Sequence, residues 1–180
     1  ALILDLRNNG GGSLQEANSL TGLFIPAGPV VQIRDASGRV SILGDQDRDV
    51  AYSGPMAVMV NRMSASASEI VAGALKDYGR AIIVGDQTFG KGTVQVLQEL
   101  DKGQLKITQA KFYRVSGEST QHKGVMPDIN FPSLINTDDV GESALDNPLP
   151  WDKIHDTRYP VYWNFDEYIA DLTQLHSDRI

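Results

Sequence analysis

Three short apolar runs set the framework of this chain. They are Ala1-Leu2-Ile3-Leu4, Met56-Ala57-Val58-Met59-Val60 and Ala81-Ile82-Ile83-Val84. Apolar stretches of four to six residues bounded by turn signals read as buried strands. The first is followed by a breaker cluster, Asn8-Asn9-Gly10-Gly11-Gly12, and then by Ser13, which is suited to cap a helix whose apolar positions are Leu14, Ala17, Leu20 and Phe24. After the second run, residues 64–78 read as a helix with Ala67, Ile70, Val71, Ala74 and Leu75 on one side and Gly79 at its C-terminal end. Residues 30–34 and 39–43 flank Asp35-Ala36-Ser37-Gly38 as a hairpin, and 93–97 and 105–115 read as further strands. Strand and helix alternate, which predicts an α/β domain.

At 180 residues, 41% of them hydrophobic, the chain is long enough for one domain with a real core. Past Pro132 the pattern changes to a polar stretch, a Pro148-Leu149-Pro150-Trp151 segment and a terminal helix predicted over 165–177. Residues 1–132 are therefore read as a core and 133–180 as an appendage wrapped on it. The first strand has no polar lead-in, so sheet partners or substrate-binding elements are expected from sequence upstream, and the core is read as truncated on that side. No apolar run approaches the length needed to span a bilayer as a helix.

Composition narrows the chemistry. Sixteen Lys plus Arg against 23 Asp plus Glu give a net charge of −7, which offers no field to attract a nucleic acid. Cysteine is absent, so thiolate metal sites and cysteine nucleophiles are excluded, and no cofactor or metal is called for.

The densest candidate is Ser64-Ala65-Ser66-Ala67-Ser68-Glu69-Ile70, serines alternating with small residues between a buried strand and a helix. A serine at such a turn exposes its hydroxyl, and the free N–H groups of the first helical turn face any negative charge that develops beside it. Ser66-x-x-Glu69 is equally the spacing of a capping box, in which Ser64 or Ser66 does no more than satisfy the helix end. A serine nucleophile needs a base. His122 lies in a polar turn, and His155 and His176 fall in the appendage, so none suggests a triad. A Ser-Lys pair is the remaining route, and Lys91 lies in a glycine-rich connection, Gly85-Asp86-Gln87-Thr88-Phe89-Gly90-Lys91-Gly92-Thr93. A lysine acts as a base only when neutral, which burial favours. A surface turn lysine is the plainer reading of the same residue.

Gly85-x-x-x-x-Gly90-Lys91 also approaches a phosphate-binding loop. Gly92 stands where that motif needs Ser or Thr, and the following Thr93-Val94-Gln95-Val96-Leu97 reads as a strand where the motif needs a helix.

Taken together, Asp5-Leu6-Arg7-Asn8-Asn9-Gly10-Gly11-Gly12, the serine run, and Thr88-Phe89-Gly90-Lys91-Gly92-Thr93-Val94-Gln95 resemble the tail-specific, or C-terminal processing, serine proteases. Phe112-Tyr113-Arg114, Gly117 and the Lys123-Gly124-Val125-Met126-Pro127-Asp128-Ile129 segment are similar as well. Leu149-Pro150-Trp151-Asp152 resembles the periplasmic bacterial branch.

The resemblance implies a ClpP/crotonase-like α/β core, Ser66 as nucleophile, Lys91 as general base and Gln95 assisting the lysine. It also implies an oxyanion hole from the backbone N–H groups of Ala67 and of one glycine of the 10–12 turn, taken as Gly12. The implied substrates are proteins with an unstructured, apolar C-terminal tail, bound through a PDZ domain upstream. The implied location is the periplasm, with room for association of the parent protein with the membrane periphery and for an adaptor protein. Without its upstream part the isolated chain is expected to be a poor enzyme. The competing reading is a noncatalytic scaffold of the same fold that binds peptides by strand addition.

Overall fold

The computed structural model describes residues 1–133 and 135–179. Its first layer is a parallel sheet built from the apolar runs: β1 (Leu2–Asp5), β4 (Met56–Val60), β5 (Ile82–Gly85) and a short β8 (Ile129–Asn130), in the order β1-β4-β5-β8. A second, antiparallel sheet has the order β3-β2-β7-β6, with β2 at Gly28–Asp35, β3 at Val40–Asp45, β6 at Thr93–Glu99 and β7 at Gln104–Tyr113. The α/β class read from the sequence is the one observed.

The helices α1 (Leu14–Gly22) and α2 (Ala67–Asp77) pack on each other, and α2 also contacts β2 and β5. Every residue from Ala67 to Leu75 is buried, which the small side chains Ala67, Ser68, Ala72, Gly73 and Ala74 permit. Val58, Ile83, Leu75, Tyr78, Ile25 and Val30 form the centre of the core.

Several elements differ from expectation: β8 is not among the strands read from the sequence, α1 stops at Gly22, short of Phe24, and β1 and α2 differ as follows. β1 is an edge strand, so Ile3 is 64% exposed although the run reads as buried. The second helix begins at Ala67, later than the predicted 64, because Ser66 leaves helical geometry at φ 58°, ψ −114°. Beyond β8 the chain runs back across the second sheet. Asp152 there takes Arg34, Lys111 and Tyr113, Gln32 donates to the His155 carbonyl, and Tyr162 stacks on Tyr78. A final helix, α3 (Asp166–Ser177), lies against β8, with His176 stacked on Phe131.

Candidate active site

The three serines of the alternating run have different surroundings. Ser64 is fully buried. Its hydroxyl donates to the Leu6 carbonyl at 2.8 Å and accepts the Asn61 N–H at 3.0 Å. The Ser68 hydroxyl donates to the Asn9 carbonyl at 2.8 Å. Both therefore tie α2 to the end of β1 and the turn after it. Ser66 is half-buried, among the described residues its hydroxyl donates to no carbonyl, and its backbone occupies a positive-φ region that costs a non-glycine residue about 1–3 kcal/mol. Such strain persists only where surrounding contacts impose it.

Those contacts centre on Glu69, which is fully buried. Its Oε2 accepts the N–H of Ser66 at 2.7 Å and of Lys91 at 3.0 Å. Its Oε1 accepts the Thr88 hydroxyl at 2.6 Å and the Gly90 N–H at 2.8 Å. The capping-box spacing is thus real, but the carboxylate reaches past its own helix and grips the lysine loop. Burial pushes the Glu69 carboxyl up to about 7, against the pull of these four hydrogen bonds. Sequence reasoning missed this residue. The available signal was Ser-x-x-Glu followed by a loop rich in N–H groups that need an acceptor.

The glycine turn lies against the serine. Gly11 adopts φ 99°, and a Cβ there would meet the Ala65 carbonyl at 2.6 Å and the Ala67 nitrogen at 2.9 Å. The Ala65 N–H donates to the Asn9 carbonyl, which fastens turn to helix. The Gly11 N–H is engaged by Asn9 Oδ1 at 3.0 Å. Among the described residues no partner takes the N–H of Gly12 or of Ala67, the first residue of α2. Arg7 turns back onto Asp5 at 2.7 Å and, chiefly by that hydrogen bond, holds its carboxyl at about 2.

Ser66, Ala67, Lys91 and Gln95 line one cleft of about 500 Å³, together with Gly10, Gly11 and Gly12, the apolar side chains of Leu14, Ile70, Val94, Leu97 and Phe112, and the polar side chains of Thr93 and Lys106. Gln95 is turned across the hairpin, its amide donating to Thr108 Oγ1 at 3.3 Å, and no hydrogen bond joins it to Lys91 among the described residues. None of the three histidines lines this cleft. The phosphate-loop alternative fails on geometry. The N–H groups of Gly90 and Lys91 are taken by the Glu69 carboxylate and that of Gly92 by Gln121, so none is left to cradle an anion.

A serine hydroxyl that donates to no carbonyl at a strained helix start, with unengaged N–H groups and a lysine lining the same cleft, is the arrangement that a serine-type peptidase requires. Residues 1–131 match the peptidase family S41, and residues 135–180 match the C-terminal domain of tail specific protease. The chain belongs to peptidase family S41. It is 50% identical to the tail-specific protease of Haemophilus influenzae over 100% of its own length and 28% of that protein's. It is 45% identical to the carboxy-terminal-processing protease of Bartonella bacilliformis, over 71% of this chain and 30% of that one. Among solved structures, a photosystem II D1 C-terminal processing protease superposes with a TM-score of 0.64 at 38% identity, covering 73% of this chain and 34% of that one. The chain thus spans about three-tenths of the length of the curated relatives it matches.

Proposed function

We propose that the protein containing this chain is a serine endopeptidase that works through a Ser66–Lys91 dyad. One observation carries the reading. Ser64 and Ser68 donate their hydroxyls to backbone carbonyls, whereas among the described residues Ser66 donates its hydroxyl to none, and it shares a cleft with Lys91.

Neutral Lys91 takes the Ser66 hydroxyl proton as Oγ bonds to the peptide carbonyl carbon. The carbonyl oxygen becomes an oxyanion held by the N–H groups of Ala67 and Gly12. The C–N bond then breaks, the lysine returns the proton to the leaving amine, and an ester remains on Ser66. Water gives a proton to the same lysine as it bonds to the acyl carbon, the acyl C–O bond to Ser66 Oγ breaks, and the lysine returns the proton to Oγ. Gln95 lines the same cleft, and in this reading it leaves Thr108 to orient the Lys91 amine.

The substrates in this reading are proteins with unstructured, apolar C-terminal tails, cut in the periplasm. The apolar side chains within the cleft lining and the whole-chain similarity to a tail-specific protease support the substrate part of this reading. The test is cleavage of an unfolded polypeptide by the full-length protein. Ser66→Ala is expected to abolish it, and undiminished cleavage by that variant contradicts the proposal.

A further inference from the structure

Arg62 follows β4 and is 1% exposed, yet among the described residues no carboxylate pairs with it. Its donors go to two segments far apart in sequence. Nη1 reaches the Thr88 carbonyl at 2.6 Å, in the loop that carries Lys91. Nε reaches the Val140 carbonyl at 2.6 Å, and Nη2 reaches Ser143 Oγ at 2.8 Å and the Thr137 carbonyl at 3.4 Å, all beyond β8. Gly141, at φ 123°, lies so close that any Cβ would collide with the guanidinium.

A second link runs parallel to the first. The Glu142 N–H donates to the Phe89 carbonyl at 2.9 Å. Its carboxylate accepts from Gln121 Nε2 at 2.8 Å, and Gln121 Oε1 in turn accepts the Gly92 N–H at 2.9 Å. Gln121 is fully buried. Backbone groups on both sides of Lys91, namely the carbonyls of Thr88 and Phe89 and the N–H of Gly92, therefore find their partners directly or indirectly in residues 137–143. Buried backbone groups must be paired, and these partners decide where the loop lies. Glu69 grips the same loop from the α2 side.

We propose that residues 137–143 belong to the catalytic apparatus: with Arg62, Gln121 and Glu142 as positioning residues, they set the placement of the lysine loop against Ser66. The inference rests on the reading of Lys91 as general base. Displacing a reacting group by about 1 Å can cost on the order of 100-fold in rate, so a clamp on this loop acts on catalysis as well as on stability.

The test uses the full-length protein and a fluorogenic peptide with an apolar free C-terminus, comparing Glu142→Ala, Glu142→Gln, Arg62→Met and Lys91→Ala. Glu142 is half-buried, and its side chain makes the Gln121 bond alone among the described residues, so Glu142→Ala is expected to fold. It should lower kcat about 10-fold or more with KM little changed, and shift the limb of the pH–kcat profile that reports the base. Glu142→Gln keeps an oxygen for Gln121 and should restore kcat. Wild-type kcat and an unmoved limb in Glu142→Ala, or a loss that Glu142→Gln does not rescue, overturns the positioning role provided Lys91→Ala is inactive. Persisting activity in Lys91→Ala overturns the dyad itself. Should Arg62→Met fail to fold, the Glu142 pair of variants decides.

Discussion

Ser66 and Lys91 deliver their backbone N–H groups to one and the same oxygen, Oε2 of Glu69, at 2.7 and 3.0 Å. The proposed nucleophile and base are therefore registered against each other through a buried carboxylate, with Thr88 and Gly90 on its other oxygen. All four groups are donors. Glu69→Gln would turn an NH2 group toward at least one of them, leaving donors unpaired in a fully buried site. A loss of about 3 kcal/mol in unfolding free energy is expected, together with a fall in kcat larger than the fall in substrate binding. Denaturant unfolding and steady-state kinetics check both; a variant with native stability and rate contradicts the role.

Stability should depend on pH through the same residue. The folded state raises the Glu69 carboxyl from its ordinary value of 4.5 to about 7, so between those values the folded chain holds a proton that the unfolded chain has released. This contribution to stability is fully present below about 4.5 and is lost as pH rises through 7. Unfolding in urea at several pH values should show that decline in the native protein and not in Glu69→Gln. Parallel curves would contradict it.

The flanking serines should separate from Ser66. Ser64→Ala and Ser68→Ala each remove a hydroxyl that bonds a backbone carbonyl, at a cost of about 1–3 kcal/mol, but leave the reacting atoms in place. Both variants are expected to retain measurable cleavage at a temperature where they stay folded. Loss of all turnover in Ser68→Ala with Ser66 intact would move the nucleophile elsewhere.

Gly11→Ala tests the turn facing the serine. The new methyl would press on the Ala65 carbonyl and the Ala67 nitrogen, at a backbone angle that L residues avoid. Disturbing an oxyanion donor costs about 100-fold or more in kcat. The expected outcome is a folded protein by circular dichroism with kcat reduced by that order, and wild-type kcat would contradict it.

Much of this site was legible because it depends on local pattern. The apolar runs and the breaker turns mark strands and helix starts by residue type alone, whereas Ser66 and Lys91 read equally as a helix cap and a turn lysine, and only the resemblance to tail-specific proteases singles them out together with Gln95. Burial was less legible. Ile3 sits in an apolar run but lies on an edge strand, which only strand order reveals. Glu69 reads as a helix-cap residue until the 88–91 loop closes over it. The partner of Gln95 depends on a register shift between Val94 and Gln95 in the β6–β7 pairing, which skips Gln109 and sets Thr108 opposite it. Arg62 gives no local sign of the two distant segments that it joins.

The central claim, a nucleophilic Ser66 activated by Lys91, is tested most directly by labelling the full-length protein with a serine-reactive fluorophosphonate and locating the adduct by peptide mass spectrometry. The expected result is a single adduct on Ser66 that forms at least about 100-fold more slowly in Lys91→Ala. An adduct on Ser64 or Ser68, or labelling of Ser66 at an unchanged rate without the lysine, would contradict it.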